Sequence, residues 1–196
     1  MRTLLLVIAA LAIATPAIAG NLDLGQAIPW AAPWGNAATV VDNGDGTITA
    51  SMAPTGSAGV FWRLPAEESE LVSIEGMWTG TTDGAGWAEV MMFTSTEGMS
   101  DVDIANRIDA GSTPGDIRVK HDSWNLGPST WGWEDIQAAA LEPLEIHATC
   151  AEVVIAIKVG DGGGSGTQVT YDISYVPEPA AALLLGLPML LVRRRR

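Results

Sequence analysis

The chain has 196 residues, 23 of them acidic and 10 basic, for a net charge of −13 at pH 7. Phosphate backbones and anionic lipid repel so acidic a chain, which excludes nucleic acid as a partner and leaves neutral sugars and divalent cations open. Its one cysteine, Cys150, excludes an internal disulfide framework.

Met1-Arg2-Thr3, an apolar stretch from Leu4 to Ile13, and the small residues Ala17-Ile18-Ala19 ahead of Gly20 predict a secretory signal peptide over residues 1–19. The expected partners are the export machinery and signal peptidase, with cleavage after Ala19. Residues 20–176 follow as one unit, long enough to bury a core without staples. In this unit Arg63, Arg107, Arg118, Lys120 and Lys158 face all of the acids except Glu178, 5 against 22, a net charge of −17.

The unit opens on a loop-rich stretch, residues 20–36, with Pro29, Pro33, Trp30 and Trp34. From Ala37 the apolar period becomes two. Residues 38–42 and 47–52 flank Asn43-Gly44-Asp45-Gly46, whose residues tolerate positive φ, and predict a hairpin. Further strands are predicted over 59–64, 71–78, 86–93, 116–120, 144–149, 152–159 and 168–175, mostly separated by Gly, Ser, Thr and Asp clusters. Residues 100–106 suit one or two capped helical turns, and 134–141 suit another. Asp161-Gly162-Gly163-Gly164-Ser165-Gly166 reads as a flexible hairpin loop. Many short strands and few helices predict an all-β chain folded as an antiparallel sandwich.

The run from Val153 to Val159, the glycine loop and Thr170-Tyr171-Asp172-Ile173-Ser174 resemble the end of galactose-binding-like β-sandwich carbohydrate-binding modules. Their closing strand carries an aromatic followed by an acid, as Tyr171-Asp172 does here. Residues 71–78 and 87–93 fit the middle strands of the same jelly roll. The resemblance implies a jelly-roll sandwich that binds sugar without catalysis, with calcium as the possible cofactor and Asp172 as a metal ligand. Asp172-Ile173 stands where the family has Asp-Asn or Asp-Asp.

Tryptophan marks the candidate chemistry, since all eight lie in residues 20–176. An indole stacks on a sugar's C–H face, but it also fills a sandwich core well, so most of the eight are expected to be structural. The loop candidates are Trp124 beside Asp122 and Asn125, and the pair Trp131 and Trp133, which would share a face if extended. In residues 87–93 alternation places Glu89 with Trp87, Met91 and Phe93. A carboxylate among apolar neighbours needs a partner, for which Arg63 or Arg118 is expected, in a structural ion pair or a ligand-gripping group. Cys150 reads as a small buried hydrophobe, with a nucleophile or an intermolecular thiol as the other readings. Asp42-Asn43-Gly44-Asp45-Gly46 departs from the calcium-loop template at Gly44 and Ala53 and reads as a turn.

The chain closes on Pro177-Glu178-Pro179, an uncharged apolar run over 180–192, and Arg193, Arg194, Arg195 and Arg196. The prolines hold Glu178 on an extended segment, and the arginines stay cytoplasmic by the positive-inside rule. Residues 177–196 resemble the PEP-CTERM sorting signal of Gram-negative bacteria. The resemblance implies a short hydrophobic helix that anchors the chain transiently in the inner membrane. It also implies recognition by an exosortase-type processing enzyme and delivery to the cell surface or extracellular matrix. The function expected of the whole is an exported, non-catalytic sandwich that binds extracellular polysaccharide. A purely structural matrix protein and a secreted glycan-active enzyme stay open beside it.

Overall fold

Alternating apolar side chains sort the strands into two antiparallel sheets in the computed structural model, which describes residues 20–82, 86–110, 118–122, 135–164 and 166–177. The strands are β1 (Gly20–Asn21), β2 (Ile28–Ala31), β3 (Thr39–Asp42), β4 (Ile48–Met52), β5 (Gly56–Pro65), β6 (Leu71–Thr82), β7 (Gly86–Phe93), β8 (Arg118–Asp122), β9 (Asp135–His147), β10 (Glu152–Asp161) and β11 (Thr167–Pro177). The first sheet runs β3-β4-β11-β6-β9, with β1 also on β11; the second runs β2-β5-β10-β7-β8. The chain is therefore an all-β antiparallel sandwich.

Between the sheets, Ile48, Ala50, Trp78, Val169 and Tyr171 from the first meet Val60, Trp62, Val90, Ile155 and Ile157 from the second. The first sheet turns its other face to water, whereas in the second the central strand β10 is buried on both faces and the edge strands keep exposed residues such as Ala31 and Lys120. Nine of the ten β10 residues are buried, as expected of a central strand covered on each side. Its outer cover at one end is α1 (Asp101–Asp109), whose Ile104 and Ile108 pack on Phe61, Met91, Phe93 and Val154. A capping box starts the helix: Asp103 N–H donates to Ser100 Oγ at 3.3 Å, and Ser100 N–H donates to Asp103 Oδ2 at 3.0 Å.

Two sequence expectations are corrected here. Residues 134–141 do not form a helical turn, because β9 begins at Asp135 and pairs with β6 almost throughout. Pairing overrides the helix propensity of its alanines, and Pro143 falls where the ladder slips, between Leu141 opposite Gly76 and Leu144 opposite Ile74. A proline on this edge strand interrupts no second ladder. The glycine loop is not a hairpin either, since β10 and β11 belong to different sheets and the loop carries the chain across. Buried Asp161 organises the crossing, its Oδ1 accepting from the N–H groups of Gly163 and Gly164 at 2.8 and 2.7 Å.

Arg63 on β5 joins three elements. It binds Glu152 at 2.9 and 2.7 Å through two nitrogens and Asp101 of α1 at 3.0 Å through a third. The Arg63 hydrogen bond holds Glu152 below the usual carboxylate range; burial opposes this, and the Thr96 hydroxyl adds to it. A folded-state pKa below the unfolded one gives stability that is present above about pH 4.3 and is lost as pH falls through the folded value. Denaturant melts between pH 3 and 7 should show Glu152→Gln to be less stable than the parent at neutral pH, with the gap narrowing on acidification. A gap constant with pH would refute this account.

Candidate functional site

Strand register places a transverse row on the outer face of the second sheet: Trp30 on β2, Gly59 on β5, Lys158 on β10, Glu89 on β7 and Asp122 on β8. The next row sets Ser57 and Trp87 on either side of Gly160. Glu89 and Lys158 are each 5% exposed, and Lys158 Nζ stands 3.2 Å from Glu89 Oε1. Lys120 Nζ approaches Glu89 Oε2 at 3.6 Å, too far for a hydrogen bond. Glu89 therefore meets two lysines; of the two expected partners, Arg118 is attracted by its charge, while Arg63 pairs elsewhere. Register brings in Lys158, directly opposite Glu89 in the ladder, while Arg63 is held by Glu152 and Asp101.

From beneath, the fully buried Tyr171 hydroxyl crosses the core and donates to the backbone carbonyl of Lys158 at 3.0 Å. Burial pushes this phenol well above its ordinary pKa, and the Glu89 charge adds to the shift. On the outer side the half-buried Trp87 indole lies against Gly160, where a Cβ would run into its ring. Four buried side-chain polar atoms lack a hydrogen-bond partner among the described residues: Trp30 Nε1, Ser57 Oγ, Trp78 Nε1 and Glu89 Oε2. Trp78 belongs to the core, whereas the other three lie on this outer face, Trp30 and Ser57 on β2 and β5 and Glu89 two strands further along on β7. Orphan polar atoms are costly, and of the three only the Glu89 Oε2 acceptor shares its strand with the Trp87 ring.

No protein-family model matches the chain, and no curated protein matches it in sequence. Among solved structures it is similar in layout to CBM4, at 13% identity over 84% of this chain and 96% of that one, with a TM-score of 0.44. TmCBM61 in complex with β-1,4-galactotriose gives 14%, 80%, 91% and 0.42. The family 11 carbohydrate-binding module of the cellulase Lic26A-Cel5E of Clostridium thermocellum gives 11%, 84%, 97% and 0.43. At these values neither ligand nor residue roles transfer to this chain.

The predicted site residues divide. Glu89 and Asp122 are paired across β7 and β8. Arg118 lies further along β8, at the α1 end, where its guanidinium stacks on Phe93 and donates to the Arg107 carbonyl at 2.7 Å. Trp124, Asn125, Trp131 and Trp133 lie outside the described residues, as do Ala17, Ala19, Glu178, Pro179 and Arg193 to Arg196. Pro177 is the last residue of β11. Asp172 is exposed on the first sheet's outer face, and among the described residues no three His, Cys, Asp or Glu side chains gather to hold a metal. Of the other tryptophans, Trp30, Trp62 and Trp78 are buried, and Trp34 is 52% exposed.

Sequence reasoning missed Lys158 and Lys120. Lys158 had a signal, as the lone charge in the apolar run Val153 to Val159, where a buried ammonium demands a carboxylate. Cys150 is half-buried beside two hydroxyls. Burial opposes its ionisation, but hydrogen bonds from the Thr96 backbone, the Thr94 and Thr96 hydroxyls and the Glu152 backbone bring the thiol to about 7. A cleft of about 460 Å³ opens between β2 and β3, lined by Leu24, Ala27, Pro29, Ala38 and Val40 together with Trp30 and Gly59 of the transverse row. Among the described residues no helix is long and apolar enough to cross a membrane, and residues 180–192 lie outside them.

Proposed function

We propose that the chain is an exported, non-catalytic protein of the cell surface or extracellular matrix that binds neutral polysaccharide on the outer face of its second sheet. The observation that carries the binding half is the half-buried Trp87 indole on the same face and strand as the orphan Glu89 Oε2, with β8 next to them in the sheet. Sugars offer what such a face lacks: an apolar C–H side for the ring and hydroxyls that both donate and accept. Glu89 Oε2 would accept from a hydroxyl that Lys120 also contacts. The glycan-active enzyme reading finds less support, since both oxygens of Glu89 face ammonium groups.

Export rests on the leader over residues 1–19, and sorting on Pro177, Glu178 and Pro179 with the arginine end. Mass spectrometry of the surface-released protein should then find neither the leader nor Arg193 to Arg196. A released chain intact through Arg196 would refute sorting by removal of the tail.

Binding is tested by titrating tryptophan fluorescence against neutral polysaccharides, with and without calcium. Trp87→Ala should weaken the saturable response roughly tenfold, the scale of a lost stacking contact. Trp131→Ala and Trp133→Ala should also weaken it, whereas Trp34→Ala should not. A flat response from the parent protein across the panel would sink the binding half and leave the structural matrix reading.

A further inference from the structure

The first and last strands meet at one end of the first sheet. β1 pairs with β11 so that Gly20 stands opposite Tyr175 and Asn21 opposite Ser174. The fit at Gly20 is close, because a Cβ there would come within 2.6 Å of Tyr175 Cε1. Only glycine lets the strand lie against that ring. On its other side β11 pairs with β6 to its last residue, Val176 opposite Ser73 and Pro177 opposite Val72. On the β1 side its partners are β4, as far as Tyr171, and then β1 at Ser174 and Tyr175. Val176 and Pro177 thus have one edge taken and, among the described residues, the other open.

We infer that removal of the leader is what opens the tail to processing, so that the two cuts run in a fixed order. The inference rests on the export and sorting reading above. Antiparallel register sets whatever precedes Gly20 against Val176 and then Pro177, the first residue of Pro177-Glu178-Pro179. An uncut leader therefore closes the open edge. A processing enzyme that reads an extended segment does so through main-chain hydrogen bonds along a free edge, and β6 already holds the other. Hydrolysis of the Ala19–Gly20 amide consumes one water, leaves a carboxylate on Ala19 and an amino group on Gly20, and frees that edge. Gly20 keeps its place against Tyr175, so the pairing then stops just short of the motif. The same geometry lets both apolar runs enter one membrane. Ile13 lies seven residues before Gly20 and Ala180 three after Pro177, which reach at most about 25 and about 11 Å from neighbouring points of the sheet.

The full chain, produced in cells that carry an exosortase-type enzyme, tests the order, with tail removal followed over time by intact mass. Ala17→Leu with Ala19→Leu takes away the small residues that signal peptidase needs. That variant should keep its leader and lose its tail more slowly by about tenfold, the population shift that one or two net backbone hydrogen bonds supply. Adding Gly20→Val, which cannot fit against Tyr175, should unseat β1 and return tail removal to near the parent's rate with the leader still attached. Gly20→Val alone should be processed like the parent. If the parent keeps its tail, the sorting reading fails and takes this inference with it. If the parent loses its tail and the leader-bearing variant loses it as fast, this inference alone is overturned. It is equally overturned if Gly20→Val restores nothing, since the delay then comes from the leader's tether and not from the paired edge.

Discussion

Glu89→Ala is expected to destabilise the protein by about 3–5 kcal/mol, the usual scale for removing one partner of a buried ion pair. The cost comes less from the lost attraction than from what remains. Lys158, 5% exposed, would keep its ammonium group in the sheet with only a long 3.5 Å contact to the Asp109 carbonyl described beside it. Lys120 is more exposed, with 34% of its side chain accessible, and regains water readily. Glu89→Gln keeps the shape and one acceptor and should cost less than Glu89→Ala. Replacing both partners, Glu89→Leu with Lys158→Met, should recover most of the loss, because no charge is then left buried. Urea melts decide the matter through midpoints compared at constant m-value. If Glu89→Ala costs under about 1 kcal/mol, the pair is behaving as a solvated surface bridge. In that case the orphan Oε2 loses its significance as a ligand acceptor too.

The same carboxylate marks how far the sequence could be read. Alternation along residues 87–93 correctly set Glu89 on one face with Trp87, Met91 and Phe93, because that information is local. It could not supply the partner, which stands 69 positions away at Lys158 and is fixed by the order β5-β10-β7. The β3–β4 hairpin was legible for the same reason, with Asn43 to Gly46 carrying the turn chemistry and Gly44 and Gly46 adopting the positive φ it needs. The helix at residue 101 was legible from its cap. Residues 134–141 were not, since alanines have no period to betray a strand, and the glycine loop gave no sign of which sheet it led to. Of the candidate site, the face of Glu89 was readable, but its pairing with Asp122 across β7 and β8 was not. The orphaned donor at Trp30 was not, because nothing local distinguishes it from Trp62, whose indole is satisfied.

That contrast between indoles makes the second large expected effect. Trp62→Ala and Trp78→Ala should each cost about 3–5 kcal/mol, since both rings are at most 2% exposed and their removal leaves large cavities. The phenylalanine variants should separate them. Trp62 Nε1 donates to the Asp23 carbonyl at 2.8 Å, pinning the opening segment across the bottom of the second sheet's inner face. Trp62→Phe loses that bond, worth about 1 kcal/mol, along with part of the ring. Trp78 Nε1 has no partner among the described residues, and its ring meets Tyr171 edge-on at 6.0 Å and 74°. Trp78→Phe keeps an aromatic contact and removes an unsatisfied donor, so its smaller ring is partly compensated. Trp62→Phe should therefore be the more costly by about 1 kcal/mol, and it alone should speed amide exchange at Gly25 to Ala27. Equal costs would mean that the Asp23 bond contributes nothing net, and faster exchange in Trp78→Phe would mean that the opening segment is held by the core as a whole.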